Sequence, residues 1–164
     1  MKLRLYYETD PILRQKAVPV EKVTNKIRRL VEDMFETMYA AKGIGLAANQ
    51  VGILQRVIIL DLRKRGIKPM ALINPEIVVR AGECDNEEGC LSCPGLFAKV
   101  TRAACVTVHA LDTAGDEVAV EATGLHAAAL QHEIDHLDGI LFLDRLDPTE
   151  RIRLEQLRAA HHPF

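Results

Sequence analysis

An α+β domain is the fold class this 164-residue sequence predicts, with short, mostly antiparallel strands around a central helix and with N-terminal and short C-terminal helices. Three observations lead there. Apolar residues recur at helical spacing near the N-terminus, several brief β-branched runs follow, and a helical stretch carrying a His-Glu-x-x-His pattern lies beyond them. Taken in order, Thr24 is placed to cap a helix whose apolar residues Ile27, Leu30, Val31, Met34 and Met38 recur every three or four positions. That helix ends at Lys42-Gly43, with Gly43 as its C-cap, and its two Met residues read as core. Arg56–Leu62 and Ile77–Ala81 read as strands. Ala104–Leu111 alternates and Glu117–Glu121 follows a turn through Asp112, Ala114 and Gly115, so this pair reads as a hairpin. Thr123 or Gly124 opens the central helix and Gly139 ends it. Pro148 then starts a short, basic C-terminal helix. No repeat or linker interrupts residues 1–164, which read as a single domain long enough for a real core.

Composition narrows the function classes. Lys and Arg total 21 against 23 Asp and Glu, so no global field draws the chain toward nucleic acid or an anionic membrane. The opening MKLRLYYETD has no apolar core of signal-peptide length, and no later run suffices for a membrane span. Four Cys in such a chain read as reduced thiols. The expectation is a soluble, cytoplasmic protein.

His132-Glu133-Ile134-Asp135-His136 carries the chemistry. Residues four apart share a helix face, so the two imidazoles can meet one metal ion while Glu133 reaches a water bound to it. A catalytic centre of this kind needs a third protein ligand and one open position. Downstream, Glu150 and Glu155 are available carboxylates in a charged tail. Upstream, Cys90 stands beside Gly89 at the end of a polar loop, Asp85-Asn86-Glu87-Glu88, and offers a soft thiolate. Cys90 with His132 and His136 would leave the fourth position free.

Three segments in order, Gly43-Ile44-Gly45-Leu46-Ala47-Ala48-Asn49-Gln50, Glu88-Gly89-Cys90-Leu91-Ser92 and Gln131-His132-Glu133-Ile134-Asp135-His136, resemble the signature segments of peptide deformylases. Asp10-Pro11-Ile12-Leu13-Arg14 and Asn74-Pro75 resemble that family too, so the likeness runs from about residue 5 to about residue 146. It implies one divalent metal, Fe²⁺ in first place with Zn²⁺, Ni²⁺ or Co²⁺ accepted, held by Cys90, His132 and His136. It implies removal of the formyl group from N-formylmethionyl nascent peptides, with transient contact with the ribosome. Glu133 would move protons, while the Gln50 side chain and the Leu91 backbone N–H would donate to the oxyanion. Ile44, Leu125, Ala128, Ala129 and the His132 ring would form the methionine pocket, and Ile44, Gly45 and Gly89 would dock the peptide as an added strand. This sequence departs from the family at Ala128 and Ala129, which are small, at Asn86, which is polar, and at Phe97, where some members carry Arg.

Rival readings remain beside this one. Gly43-Ile44-Gly45-Leu46-Ala47-Ala48 fits a G-x-G-x-x-A dinucleotide pattern, but its glycines follow a helix where a strand is required. Cys90 and Cys93 with His132 and His136 could close a structural Cys₂His₂ zinc site in a non-catalytic binding module. The 38 residues between Cys93 and His132 exceed a finger's spacing of about a dozen. If residues 90–93 are extended, the two Cα atoms lie about 10 Å apart, which makes shared coordination or a disulfide awkward. Cys93 then reads as a buried small hydrophobe. A metallopeptidase acting on internal bonds is the other alternative. His109 and His126 read as structural, His161 and His162 as tail residues, and Cys84 and Cys105 as core or loop thiols.

Overall fold

Thr24 caps the first helix, α1 (Asn25–Ala40), its hydroxyl accepting from Ile27 N at 3.4 Å. The structure, a computed structural model, describes residues 1–161, so His162 lies outside it. The end of α1 differs from expectation. Lys42, not Gly43, takes the left-handed conformation, at φ 61°. Lys42 N bonds Tyr39 O and Gly43 N bonds Met38 O, the paired bonds of a Schellman turn.

Strands β1 (Gly45–Ala47), β2 (Val57–Leu60), β3 (Met70–Ala81), β6 (Cys105–Leu111) and β7 (Glu117–Thr123) form one antiparallel sheet in the order β1-β2-β3-β6-β7. Strands β4 (Cys84–Cys90) and β5 (Cys93–Arg102) form a separate two-stranded sheet. The Val57-Ile58-Ile59-Leu60 run is buried throughout because the sheet is covered on both faces there. Val57 and Ile59 pack with Val31, Met34 and Met38 of α1, while Ile58 and Leu60 pack with Leu130, Ile134 and Leu137 of α2 (Gly124–Leu137). The two Met residues are core, as their spacing implies.

Four strand readings need correction. The Ile77–Ala81 reading covers only the end of β3, which starts at Met70. Its middle was obscured by Asn74-Pro75, where Asn74 sits at φ 54° and its side chain bonds Val20 N and Val20 O, both at 2.8 Å. Gly45–Ala47 is a strand, not part of a cap loop. The polar Asp85–Glu88 stretch is not a loop but most of β4. Finally, residues 90–93 are not extended: Cys90 and Cys93 are directly opposed across the tight β4–β5 turn.

The helix α2 ends as expected, with Gly139 at φ 74°, where a Cβ would meet Arg14 O at 2.6 Å. The last helix, α3 (Pro148–His161), includes His161, which is therefore helical and not tail. It packs through Leu154 on Cys93, Ala98 and Val100 of β5 and on Phe142. Among the described residues no helix is long and apolar enough to cross a membrane.

Candidate metal centre

His132 and His136 lie one turn apart on α2, both buried, and the end of β4 brings Cys90 against them. The three ligand atoms all lie within 4.8 Å of one another, and Cys90 Sγ is 3.3 Å from His136 Nε2. The sequence expectation of a thiol and two imidazoles therefore meets at one point. Glu150 does not join it, being paired with Arg153 on α3. The donor set suits a borderline or soft divalent cation. Two observations fit such an ion. The Glu133 Oε1 atom is buried without a hydrogen-bond partner, and His136 directs its Nε2 at Cys90 while its other ring nitrogen, Nδ1, is unpartnered. Burial works against the His132 imidazolium, yet the charge of Glu133 and the contacts with Cys90 and Glu88 push His132 up to about 10, so the surroundings favour positive charge.

The ring of His132 is fixed from behind. Its Nδ1 lies 2.9 Å from Glu88 Oε1, which leaves the other ring nitrogen to face the site, and the ring stacks on Phe142. Glu88 is gripped by Arg102, with Nε to Oε2 at 2.5 Å and Nη2 to Oε1 at 2.8 Å. Arg102 also reaches Asp135 at 3.0 Å, and Arg145 closes on the same carboxylate at 2.8 Å. Burial alone would raise Glu88, but its bonds to His132 and Arg102 overcome this and hold its carboxyl below the usual range. Glu88, Arg102 and Asp135 were missed as functional residues. The available signal was that Glu88 stands two residues before Cys90, but this helps only once the segment is read as a strand.

Glu133 is buried and its carboxyl is raised to about 7, chiefly by desolvation, with the neighbouring His132 charge pulling the other way. The carboxylate lies against Gly45, where a Cβ would stand 2.5 Å from Glu133 Oε2. The short turn Ala48–Val51 carries Gln50, whose Oε1 accepts from Ala47 N at 2.9 Å. Its Nε2 donates to Ser92 Oγ at 3.0 Å and lies 3.5 Å from Cys90 Sγ, so the amide nitrogen faces the thiol. The Cys90 thiol is pushed up, first by the Cys93 thiol across the turn and then by burial.

A cleft of about 580 Å³ opens onto these groups. All six residues assigned to substrate, Ile44, Gly45, Gly89, Leu125, Ala128 and Ala129, line it, as do Gln50, Leu91, Cys90, His132 and Glu133. His136, which is buried, is not part of that lining. Tyr7, not singled out from the sequence, also contributes, as does Phe97, which is 57 % exposed. The motif glycines serve close approach: a Cβ at Gly43 would meet Leu91 Cδ1 at 2.5 Å, and one at Gly89 would meet Phe97 Cε1 at 2.6 Å. Cys93 is 1 % exposed and packs in the apolar cluster with Phe142 and Leu154, outside the ligand group. His109 is exposed on β6, and His126 is buried on α2 with its Nε2 unpartnered and its pKa lowered by burial.

Comparison with known proteins agrees with this geometry. The family model for polypeptide deformylase matches residues 2–152. A peptide deformylase of Alkalilimnicola ehrlichii is 52% identical over 148 residues, covering 90% of this chain and 83% of that protein. One from Nitrosococcus oceani is 47% identical over 154 residues, covering 94% and 92%. Among solved structures, a peptide deformylase from Synechococcus elongatus in complex with actinonin superimposes with a TM-score of 0.90 at 40% identity, covering 96% of this chain and 88% of that one. One from Legionella pneumophila gives 0.88 at 41% identity, covering 98% of both chains.

Proposed function

The chain belongs to the polypeptide deformylase family, and from that premise we propose how its own residues perform the reaction. It is an enzyme, a metal-dependent hydrolase that removes the N-formyl group from the N-terminal formylmethionine of polypeptides and releases formate. The observation that carries the assignment of residues is the meeting of Cys90, His132 and His136 within 4.8 Å, beside the buried Glu133.

Cys90, His132 and His136 hold one divalent cation, Fe²⁺ by preference, with Zn²⁺, Ni²⁺ or Co²⁺ compatible with the same donors. Such a cation supplies Lewis acidity that lowers the pKa of a water and polarises a carbonyl. Glu133 takes a proton from the attacking water and delivers it to the departing amine. Burial raises the Glu133 carboxyl above the usual carboxylate range, the direction that suits both transfers. The Gln50 amide and the Leu91 backbone N–H donate to the oxyanion that develops on the formyl oxygen. Glu88, clamped by Arg102, holds the His132 ring in its ligating orientation.

The methionine side chain enters the cleft against Ile44, Leu125, Ala128 and Ala129. The peptide behind it docks as an added strand near Ile44, Gly45 and Gly89. Two edges support this docking: among the described residues β1 is the terminal strand of its sheet and β4 is paired with β5 alone. Nascent chains at the ribosome, met transiently in the cytoplasm, are the substrates, and residues 1–164 act as one domain. The packing of Cys93 among apolar side chains favours an open three-ligand centre over a closed Cys₂His₂ module. Anaerobic Fe²⁺-loaded protein is expected to release formate from a formyl-Met peptide and to leave unformylated peptides intact. Glu133→Ala is expected to keep the cation and lose nearly all turnover; loss of the cation would make Glu133 a ligand and overturn its role as base.

A further inference from the structure

Cys93 has no part in the reaction just derived, yet the fold sets it directly across the β4–β5 turn from Cys90. Directly opposed residues of an antiparallel pair have Cα atoms about 4.5–5.5 Å apart and side chains on one face. That separation lies within the roughly 4.4–6.8 Å that a disulfide spans. The side chain of Cys90 packs against the cluster that contains Cys93. The two residues differ in their surroundings, Cys90 being half-buried and Cys93 buried. Cys90 lines the open cleft, whereas Cys93 is sealed beneath the turn by Phe142 and Leu154.

We propose that Cys90 and Cys93 form a reversible oxidative modification site, in which Cys90 meets a peroxide entering the cleft and Cys93 resolves the product as a disulfide. The chemistry balances. The Cys90 sulfur attacks one peroxide oxygen, an S–O bond forms, the O–O bond breaks, and hydroxide leaves and collects the thiol proton as water. The Cys93 sulfur then attacks Cys90 Sγ, the S–S bond forms, the S–O bond breaks, and the hydroxyl departs with the Cys93 proton as a second water. Two thiols lose two electrons and two protons, and hydrogen peroxide becomes two waters. Without Cys93 the sulfenic acid on Cys90 would stand open to further, irreversible oxidation. The disulfide removes the thiolate that the proposed centre needs, so oxidation ejects the cation and reduction restores the site; this consequence rests on the ligand role assigned to Cys90.

The test uses the full chain, chelated and Zn²⁺-loaded, exposed to hydrogen peroxide, quenched, alkylated and mapped by mass spectrometry. Cleavage after Glu88 and after Lys99 separates the pair from Cys84 on one side and Cys105 on the other. In the chelated chain the peptide bearing Cys90 and Cys93 is expected to lose both alkylation sites and to weigh two hydrogens less. Dithiothreitol should return both thiols and, with them, the capacity to bind one Zn²⁺. The loaded chain should oxidise more slowly, because its Cys90 sulfur is engaged. In Cys93→Ala, Cys90 should advance to the sulfinic acid, and reductant should recover neither thiol nor Zn²⁺ binding. Sulfinic Cys90 beside an alkylatable Cys93 in the unsubstituted chain would overturn the proposal, as would equal recovery of the variant and the unsubstituted chain. Mapping requires no turnover, so its failure is distinct from a failure to hydrolyse formyl-Met peptide.

Discussion

Gly45→Ala tests whether the position of the Glu133 carboxylate limits the rate. The added Cβ would stand 2.5 Å from Glu133 Oε2, 3.1 Å from Glu133 Cδ and 2.9 Å from Leu60 Cδ2. Leu60 is sealed in the sheet core, so its contact is relieved only by a strained shift there, and the closer contact is relieved by displacement of the carboxylate. Ordinary contact begins near 3.4 Å. The carboxylate must therefore retreat by about 0.9 Å, a scale of misplacement that costs on the order of 10²-fold in rate. That corresponds to about 2.7 kcal/mol in the barrier, and overpacking beside Leu60 should cost about 1–3 kcal/mol in stability. The assay measures kcat and KM for a formyl-Met peptide, cation content and thermal midpoint on the same preparation. The expected outcome is a fall in kcat with the cation retained. Gly43→Ala is the comparison, because the atoms it meets are side-chain carbons of Leu91 and Met38 and not a reacting group. An unchanged kcat for Gly45→Ala in a folded, cation-loaded protein would refute the reasoning.

Three further outcomes are expected. Gln50→Ala should lower kcat by roughly 10²–10³, the cost of one oxyanion donor, with the cation retained; a rate near that of the unsubstituted chain would leave Gln50 as a lining residue only. Cys90→Ala should lose both cation and activity, whereas Cys93→Ala should keep both at a stability cost of ~1 kcal/mol or less. Release of the cation by Cys93→Ala, read by metal analysis, would close the site with four protein ligands and end the deformylase mechanism. Glu88→Gln weakens the support of the His132 ring and leaves Arg102 short of a charge partner, so cation affinity should fall by about 10–100-fold in a chelator competition. Unaltered affinity would show that the His132 ring is held by Phe142 stacking alone.

That His132 and His136 come together, with Glu133 beside them, was legible because it rests on a local pattern, whereas Cys90 was named through the likeness of its segment to the family's. An i,i+4 pair on a helix brings two imidazoles together whatever the rest of the fold does, and the cap at Thr24 and the β6–β7 hairpin are equally local. What escaped was set by tertiary context. Asp85, Glu87 and Glu88 read as loop because a strand is recognised by apolar alternation. Here the solvated face of β4 is polar, and its inward face carries a carboxylate neutralised by Arg102 from the paired strand. No window around Glu88 contains Arg102. The closeness of Cys90 and Cys93 was misjudged for the same reason: once β4 is missed, the turn between it and β5 is invisible, and the residues look extended. At Lys42 the left-handed position fell on a non-glycine while the glycine signal sat one residue on, where space beside Leu91 was the actual requirement.

Cys90 and the two His residues belong to different layers, one on the separate β4–β5 hairpin and two on the helix that backs the five-stranded sheet. No strand pairing joins the two sheets among the described residues. The Arg102–Asp135 ion pair ties the hairpin to α2 on one side of the centre, and a bound cation would tie it on the other. The ion is then a rivet as well as a reagent. On the ligand set proposed above it would close the 42-residue path from Cys90 to His132 and limit how far the hairpin can lift from the helix. Loading the centre would then restrain the width of the cleft that Cys90 and His132 line, and an empty centre would be a looser mouth before it is an inactive one.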